Sequence, residues 1–355
     1  MALVSFIDIR FGDPVLCLSM SEQGIAYGSA FGRILYHNFW TGQEIVIAEF
    51  SEECIRGIHV ARDNIIYSAV GDLYNLVTLM SSNQCTARLA VSNDNDHSVH
   101  ICHDTQVLMR EDVVCLITIP KESLSFINKN TIHITQISSE TKRHFEISTL
   151  PPFSSPIDFD GNRVLFLSFN SNQTRTLNII EFKNEKAKLS EITKFKNSFG
   201  HISHMKLVND LIILVQENRH IKILDISTGK IRHDIGSCKA DIAALNYLYI
   251  KETQDEFHSG PSYDQINIEE NLVFSKLVIV TVDVEGSICI WDNEGLIERN
   301  YIRDIDELTD EYKNFAYFSM GYPYVVHVRS PHIAFSTDIG IFVIKSAYFD
   351  RSKAD

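Results

Sequence analysis

Residues 277–292, LVIVTVDVEGSICIWD, decide the fold. Two apolar runs rich in Val and Ile flank a short polar stretch that ends in Glu285 and Gly286. Branched aliphatic residues favour strands, and glycine adopts the backbone conformations that tight turns require. The stretch therefore predicts two antiparallel strands joined by a tight turn, with Trp291 and Asp292 at the end of the second strand.

The same order of strand, tight turn, strand and polar turn recurs elsewhere in the chain. One copy contains VLCLSM, GIAYGSA and GRILYHNF and ends in a polar turn at residues 41–44. Another contains HMKLV, LIILVQ and HIKILDI and ends at residues 227–230. Short apolar runs broken by Gly, Asn, Asp or Ser continue along the chain, with little helical periodicity. The sequence therefore predicts an all-β protein built from repeats.

Residues 277–292 resemble the WD40 repeat. Trp291 and Asp292 occupy the signature dipeptide, Gly286 the tight turn, Glu285 the place of the usual turn Asp, and Thr281 the usual strand Ser or Thr. In the family, the turn, strand and tryptophan side chains form with a histidine a hydrogen-bonded network that holds one blade together. No histidine stands at the family's spacing ahead of Trp291.

The other copies match the WD40 pattern in part. Gly200 and His201 match the opening dipeptide of the family, and Asp225 follows a leucine where Trp-Asp would stand. In the first copy, His37 and Asn38 stand at the Trp-Asp position, so Trp40 is not the signature tryptophan.

The resemblance implies a β-propeller, whose blades are counted from the turn before each third strand. These turns are placed at seven positions: Gly32, Gly71, Asn130, Asn172, Asn218, Gly286 and Gly340. The last repeat supplies three strands, and the N-terminal run ALVSFIDIR belongs to no blade. We expect this run to complete the last blade as its outer strand, because an open ring leaves unpaired sheet edges. The prediction is one seven-bladed WD40-like propeller over residues 1–350 and a polar tail at 351–355.

Three segments depart from the repeat, and departures of this kind map to exposed loops. Residues 251–276 are expected to interrupt the sixth blade between its second and third strands. Residues 299–315 connect the sixth blade to the seventh and could hold a helix over 304–313, and residues 89–112 connect the second blade to the third. In the family, loops of both kinds emerge on one face, so the resemblance implies that all three lie on one side of the disc.

The first two insertions are rich in acidic residues and contain aromatic side chains. One interpretation is a solvated surface. The other is an acidic surface on which a basic segment of a partner protein docks, with aromatic side chains as apolar anchors. The residues predicted to bind the partner are Asp255, Glu256, Phe257, Tyr263, Tyr301, Asp306, Glu307 and Tyr312.

Composition excludes several classes of function. The formal net charge of -14 argues against direct nucleic-acid binding and against anionic membrane surfaces. No apolar run is long enough to span a bilayer, and Asp8 and Arg10 interrupt what would be a signal-peptide core. The seven cysteines are scattered and include no C-x-x-C pair, which is typical of a reducing compartment. We therefore expect an intracellular, cytoplasmic protein, and a cytoskeletal or organellar assembly is the alternative.

The sequence contains no motif for nucleotide binding, nucleophilic hydrolysis or metalloprotease chemistry, so we expect no enzyme and no cofactor. Residues 94–104 are rich in His, Asp and Cys, but a zinc site there would require the segment to fold back on itself. The leading hypothesis is a non-enzymatic scaffold that binds other subunits of an assembly. The alternatives are a reader of a short or modified peptide at the channel mouth and, more remotely, a propeller hydrolase.

Overall fold

The computed structural model describes residues 2–8, 13–50, 54–61, 66–70, 76–81, 84–90, 103–120, 130–136, 141–147, 153–169, 174–183, 186–195, 199–252, 274–302, 325–337, 340–346 and 348–349. These residues form 28 strands, arranged in seven antiparallel sheets of four strands each. The chain is thus an all-β, seven-bladed propeller over the part that the structure describes.

The sheets are numbered here as blades 1–7 in chain order. Blade 1 contains β2 (Val15–Met20), β3 (Gly24–Ser29), β4 (Arg33–Asn38) and β5 (Glu44–Glu49). Blade 2 contains β6 (Ile55–Val60), β7 (Ile66–Val70), β8 (Leu76–Ser81) and β9 (Gln84–Ala90). Blade 3 contains β10 (His103–Arg110), β11 (Val113–Pro120), β12 (Asn130–Gln136) and β13 (Thr141–Ile147). Blade 4 contains β14 (Phe153–Phe159), β15 (Arg163–Phe169), β16 (Arg175–Lys183) and β17 (Lys186–Phe195).

Blade 5 contains β18 (Ile202–Val208), β19 (Leu211–Gln216), β20 (His220–Asp225) and β21 (Ile231–Ser237). Blade 6 contains β22 (Ile242–Glu252), β23 (Phe274–Asp283), β24 (Ser287–Asp292) and β25 (Gly295–Tyr301). Blade 7 contains β26 (Val326–Arg329), β27 (His332–Ser336), β28 (Gly340–Lys345) and β1 (Ala2–Asp8).

The N-terminal strand β1 belongs to the last sheet. It pairs antiparallel with β28, with Phe6 opposite Phe342 and Asp8 opposite Gly340. The strand order β1-β28-β27-β26 makes β1 the outer strand of blade 7.

The hydrophobic core lies between the blades. Each of six clusters of buried side chains joins two neighbouring sheets within the described residues. Ile290 of blade 6 packs with Phe335 of blade 7, and Tyr27 of blade 1 packs with Val343 of blade 7. Strand side chains alternate between the two faces of a sheet, so each sheet contributes to two neighbouring cores.

The turns before the third strands lie where the sequence predicts them in the described blades. Gly32, Asn218 and Gly286 have positive φ values of 81°, 63° and 76°, which glycine and asparagine accept most readily. Asn130 and Gly340 are the first residues of their third strands. The other two predicted positions, Gly71 and Asn172, lie outside the described residues.

The insertion in blade 6 lies between the first and second strands, so its prediction between the second and third strands is wrong. The first strand, β22, runs on through IKE to Glu252, and the chain returns as β23 at Phe274. The run LVIVTV is therefore the second strand of its blade. The physical reason is that the first strand of blade 6, β22, is long and directly precedes the insertion.

This correction separates the insertions. We call the face with the blade-to-blade connections the linker face, and the other the distal face. At the linker face Ile242 pairs with Asp283, and the N–H of Ile302 bonds to the carbonyl of Gly286 at 3.0 Å. At the distal face Glu252 pairs with Phe274. β22 therefore ends and β23 begins at the distal face, whereas β25 and β9 end at the linker face. The prediction of a single shared face is wrong, because antiparallel strands send successive connections to opposite ends.

Among the described residues, no helix has the length and apolar character needed to cross a bilayer.

Candidate functional site

The central channel is the candidate site. It contains a cavity of about 520 Å³ whose wall comes from the first, innermost strand of every blade. Every blade contributes at least one polar side chain to this wall, among them Ser19, His59, Arg110, Asp158, Lys206, Asn246 and His327.

Several of these side chains join neighbouring blades. Ser19 Oγ accepts a bond from the N–H of Val60 at 3.1 Å, and Asp158 Oδ2 accepts one from the N–H of Leu207 at 2.7 Å. Asn246 Nδ2 donates to a backbone carbonyl of blade 7 at 2.8 Å. Each bond satisfies a backbone group at the channel wall and fixes one sheet against the next. These hydrogen bonds therefore stabilise the ring by joining neighbouring blades.

Arg110 reaches from blade 3 to blade 6. Its Nη2 donates to the hydroxyl of Tyr247 at 3.1 Å, and the guanidinium carbon lies 5.6 Å from the centre of that ring. The Tyr247 hydroxyl in turn donates to the carbonyl of Leu207 at 3.1 Å. Burial raises the pKa of Tyr247, so the phenol stays protonated. A guanidinium thus lies in the channel and is held by a neutral aromatic partner.

Three histidines line the same cavity. Burial lowers the pKa of His59, His204 and His327, and that of His327 falls to about 4. His59 stacks on Tyr67 with ring centres 6.4 Å apart. The Nδ1 atom of His327 is buried and has no hydrogen-bond partner among the described residues. All three imidazoles are neutral at pH 7.

The aromatic content of the channel mouth bears on whether it could read a peptide. Among the described lining residues the aromatic rings are those of Phe159 and Tyr247. Phe159 is buried in the core between blades 3 and 4. Tyr247 is already in contact with Arg110, which donates a hydrogen bond to its hydroxyl. Asp158 is paired with Lys206 at 3.1 Å.

The WD40-like network of blade 6 is present in modified form. Trp291 Nε1 donates to Thr281 Oγ1 at 2.9 Å, and both side chains are buried. The Sγ atom of Cys238 lies 3.5 Å from the same hydroxyl. A cysteine that precedes the first strand of blade 6 thus contacts Thr281, the residue that the family network joins to a histidine.

A buried carboxylate, that of Asp283, lies at the end of the second strand, two residues before Glu285. Glu285 is exposed, whereas Asp283 is 1% exposed. Asp283 Oδ1 accepts bonds from the N–H groups of Glu285 and Ser287 at 3.1 and 2.8 Å. The side chain at the end of the second strand points inward, and the turn carries Glu285 into solvent.

A second cysteine extends the network. The Cys238 thiol bonds to the sulfur of Cys289, which lowers the pKa of Cys289 and raises that of Cys238. Ser287 Oγ and Arg299 Nε each lie 3.3 Å from the Cys289 sulfur and add to the lowering. Five cysteines are free thiols: Cys17, Cys54, Cys115, Cys238 and Cys289. The sequence did not indicate this contact between Cys238 and Cys289, because Cys238 precedes the first strand of blade 6 and Cys289 lies in its third strand.

The last residue of the third strand closes the distal turn in three blades. Asn38, Asp225 and Asp292 each accept, through Oδ1, a bond from a backbone N–H of the following turn at 2.8–2.9 Å. Asp292 Oδ2 also pairs with Lys276 at 2.9 Å. The carboxylate of the signature dipeptide is therefore a turn-forming group, and an asparagine replaces it in blade 1.

The opening dipeptide at blade 5 forms a turn. Gly200 has a φ of 80°, and the carbonyl of His201 accepts a bond from the N–H of Glu217 at 2.6 Å. The His201 side chain is exposed. It therefore takes no part in a buried network.

One of the predicted partner-binding residues lies in the described part of the chain. Tyr301 ends β25, is partly buried, and pairs with Ser287 at the linker face. The others lie outside the described residues: Asp255, Glu256, Phe257, Tyr263, Asp306, Glu307 and Tyr312. Most of the histidine-rich segment at 94–104 also lies there. Within the described residues, no three His, Cys, Asp or Glu side chains are placed to hold a metal ion.

An exposed tryptophan stands out on the distal face. Trp40 lies in the turn between β4 and β5 and is 82% exposed, as expected for a residue that is not the signature tryptophan. The sequence signal for this exposed residue is its position directly before the polar turn at residues 41–44.

Comparison with solved structures identifies the fold. The chain is similar to a computationally designed protein, Ika8, at 11% identity, with a TM-score of 0.55 over 98% of this chain and 100% of that one. It is similar to the WD40 β-propeller domain of Doa1 at 11% identity, with a TM-score of 0.56 over 96% of both chains. It also resembles a chain of the mitotic checkpoint complex at 10% identity, with a TM-score of 0.57 over 97% of this chain and 92% of that one. No protein-family model and no curated protein matches the sequence. The fold is that of the WD40 β-propellers.

Proposed function

We propose that this chain is a non-enzymatic scaffold that binds other protein subunits of a cytoplasmic assembly. The observation that carries the proposal is Trp40, an indole that is 82% exposed in a hydrogen-bonded turn. Tryptophan is enriched among the residues that dominate protein interfaces, and burying it on contact removes a large apolar area from water. Free cysteines support the cytoplasmic location.

The turn presents Trp40 at low entropic cost. Asn38 Oδ1 accepts bonds from the N–H groups of Trp40 and Thr41 at 2.9 and 3.1 Å. The N–H of Gly42 bonds to the carbonyl of Asn38 at 2.9 Å, with Gly42 at a φ of 67°. A backbone that is already ordered loses little freedom when a partner binds.

Charge suggests the chemistry of the partner. The ends of β22 and β23, which lead into the acidic residues 253–273, lie on the distal face, as does the turn of Trp40. A partner with a basic segment beside an apolar side chain fits this combination. The acidic residues 303–313 follow β25 at the linker face and are proposed as a separate contact.

The proposal is tested by affinity purification of the tagged chain from its source cells, with quantification of co-purifying proteins. The variants are Trp40→Ala, the pair Asp255→Asn and Glu256→Gln, and the pair Asp306→Asn and Glu307→Gln. Trp40→Ala and the first pair should lower recovery of the same partners, and the loss in the charge variant should shrink at high salt. The pair Asp306→Asn and Glu307→Gln should lower the recovery of a different set of partner proteins.

Ile231→Ala is the matched control, since Ile231 is an exposed apolar residue on an outer strand. It should leave recovery unchanged. Melting temperatures should be equal for all variants. Unchanged recovery of every partner in all three variants would refute binding through these surfaces.

A further inference from the structure

Basic side chains act on the imidazole of His327 in the centre of the channel, and its Nδ1 atom has no partner among the described residues. The charged groups that act on His327 are His59, Arg329 and Arg110, all of them bases, and together with burial they lower its pKa to about 4. These groups come from blades 2, 3 and 7. A cation would be repelled at this position, and an anion would be attracted.

The other charged groups of the wall are accounted for. Glu111 and Asp112, in the turn after β10, act on His59 in the direction opposite to Arg110 and Arg329. Asp158 is paired with Lys206 at 3.1 Å, and His204 bonds to Ser203 and to the carbonyl of Ala243. Tyr247 is neutral. Arg329 is paired with Glu22 at 3.8 Å. The groups that shift the pKa of His327 are bases, whereas Glu111 and Asp112 act on that of His59 and Asp158 is paired with Lys206.

The cavity contains hydrogen-bonding groups that a ligand could use. Arg110 bonds to Tyr247 through Nη2, which is one nitrogen of a guanidinium with five N–H donors. His327 Nδ1 is buried without a partner among the described residues, and a buried polar atom of this kind calls for a ligand or a water. The cavity of about 520 Å³ is much larger than a tetrahedral ion of phosphate size needs.

We propose that the central channel binds a small tetrahedral oxyanion of the phosphate or sulfate class. Arg110 supplies the charge and a forked pair of donors, and His327 and His59 donate the further hydrogen bonds. Planar guanidinium groups and imidazoles are suited to oxyanions for this reason. This site lies in the wall of the ring, apart from the exposed surfaces proposed above to bind proteins, so either proposal can fail without the other.

Binding is coupled to protonation. In the empty channel both imidazoles are neutral at pH 7, because burial and the cationic neighbours disfavour the charged form. A bound anion favours the imidazolium, so it raises the histidine pKa values and is bound more tightly as pH falls towards them. A rise of one pKa unit corresponds to a gain of up to about tenfold in affinity per histidine in acid.

The test is a calorimetric titration with sulfate at pH 5.5 and pH 8, since sulfate keeps its charge over this range. Histidine proton NMR of the same samples reports the pKa of His327 directly. We expect saturable binding that is tighter at pH 5.5 than at pH 8, together with a higher pKa of His327 in the presence of sulfate. Absence of saturable binding at both pH values would overturn the proposal.

Two variants separate this site from general surface charge. Arg110→Gln removes the channel guanidinium, and Arg232→Gln removes an exposed one on the outer strand β21. Arg110→Gln should lose at least about tenfold in sulfate affinity, and Arg232→Gln should bind like the wild type. Circular dichroism checks that both variants fold. If Arg110→Gln does not fold, the NMR titration of the wild type decides alone, because an unchanged His327 pKa at saturating sulfate contradicts the proposal. Equal affinities of the two folded variants contradict it as well.

Discussion

Truncating Trp291 should cost far more stability than truncating Trp40. Trp291 is 2% exposed and packs between blades 5 and 6, where its ring lies 3.4 Å from the position that a Cβ on Gly236 would occupy. Its Nε1 donates to Thr281 Oγ1, which is fully buried. Trp291→Ala therefore opens a cavity between two blades and removes a hydrogen bond at the same time.

The magnitude follows from these two losses. Replacing a buried tryptophan by alanine costs about 3–5 kcal/mol in the free energy of unfolding. Trp40→Ala should change it by about 0.5 kcal/mol or less, since that side chain is 82% exposed. Trp291→Phe should fall between the two, because it keeps most of the volume and leaves the Thr281 hydroxyl without its donor.

The assay is urea unfolding followed by circular dichroism, which does not depend on tryptophan fluorescence. The slope of the unfolding free energy against urea is compared between variants, so that changes in the unfolded state are recognised. Equal losses for Trp291→Ala and Trp40→Ala would refute the assignment of Trp291 to the core between blades 5 and 6.

Three further predictions concern the ring and its turns. Deleting residues 2–8 should lower the melting temperature and promote aggregation in light scattering, because it uncovers the edge of β28 and separates Phe6 from Phe342, whose rings are 4.8 Å apart. A change of less than about 2 °C would contradict a stabilising role for this strand. Gly286→Ala should cost about 1–2 kcal/mol in urea unfolding, since the residue has a φ of 76°, and no loss would argue against strain there. Burial raises the pKa of Asp283, so the folded state binds its proton more tightly and the stability from this group falls as pH rises through the raised pKa. When unfolding is measured from pH 4 to 7, Asp283→Asn should remove this fall in stability. A variant with the same pH profile as the wild type would contradict the prediction.

The fold was accessible from the sequence because local chemistry determines it. Gly32 and Gly286 mark turns that require positive φ, and the apolar runs around them are long enough to be strands and too short to be core helices. The N-terminal run could be placed as an outer strand because the last repeat lacked one, and β1 pairs with β28.

The channel could not be predicted, because its wall combines side chains that are far apart in the chain. Arg110 and Tyr247 meet across the ring, and His59 approaches His327 only because blades 2 and 7 face the same cavity. Periodicity within one repeat carries no information on such contacts. The burial of the two neighbouring carboxylates could not be predicted either: Asp283 is buried, and Glu285 is exposed.

The central claim, that the chain works as a scaffold through the surface around Trp40, is tested most directly by its native size. The chain is purified from its source cells without denaturation and analysed by size exclusion with light scattering. A scaffold should elute in an assembly well above its own mass of 40.4 kDa, and Trp40→Ala should shift a large part of the protein towards the free chain. Elution of the wild-type protein as a free monomer would contradict the account.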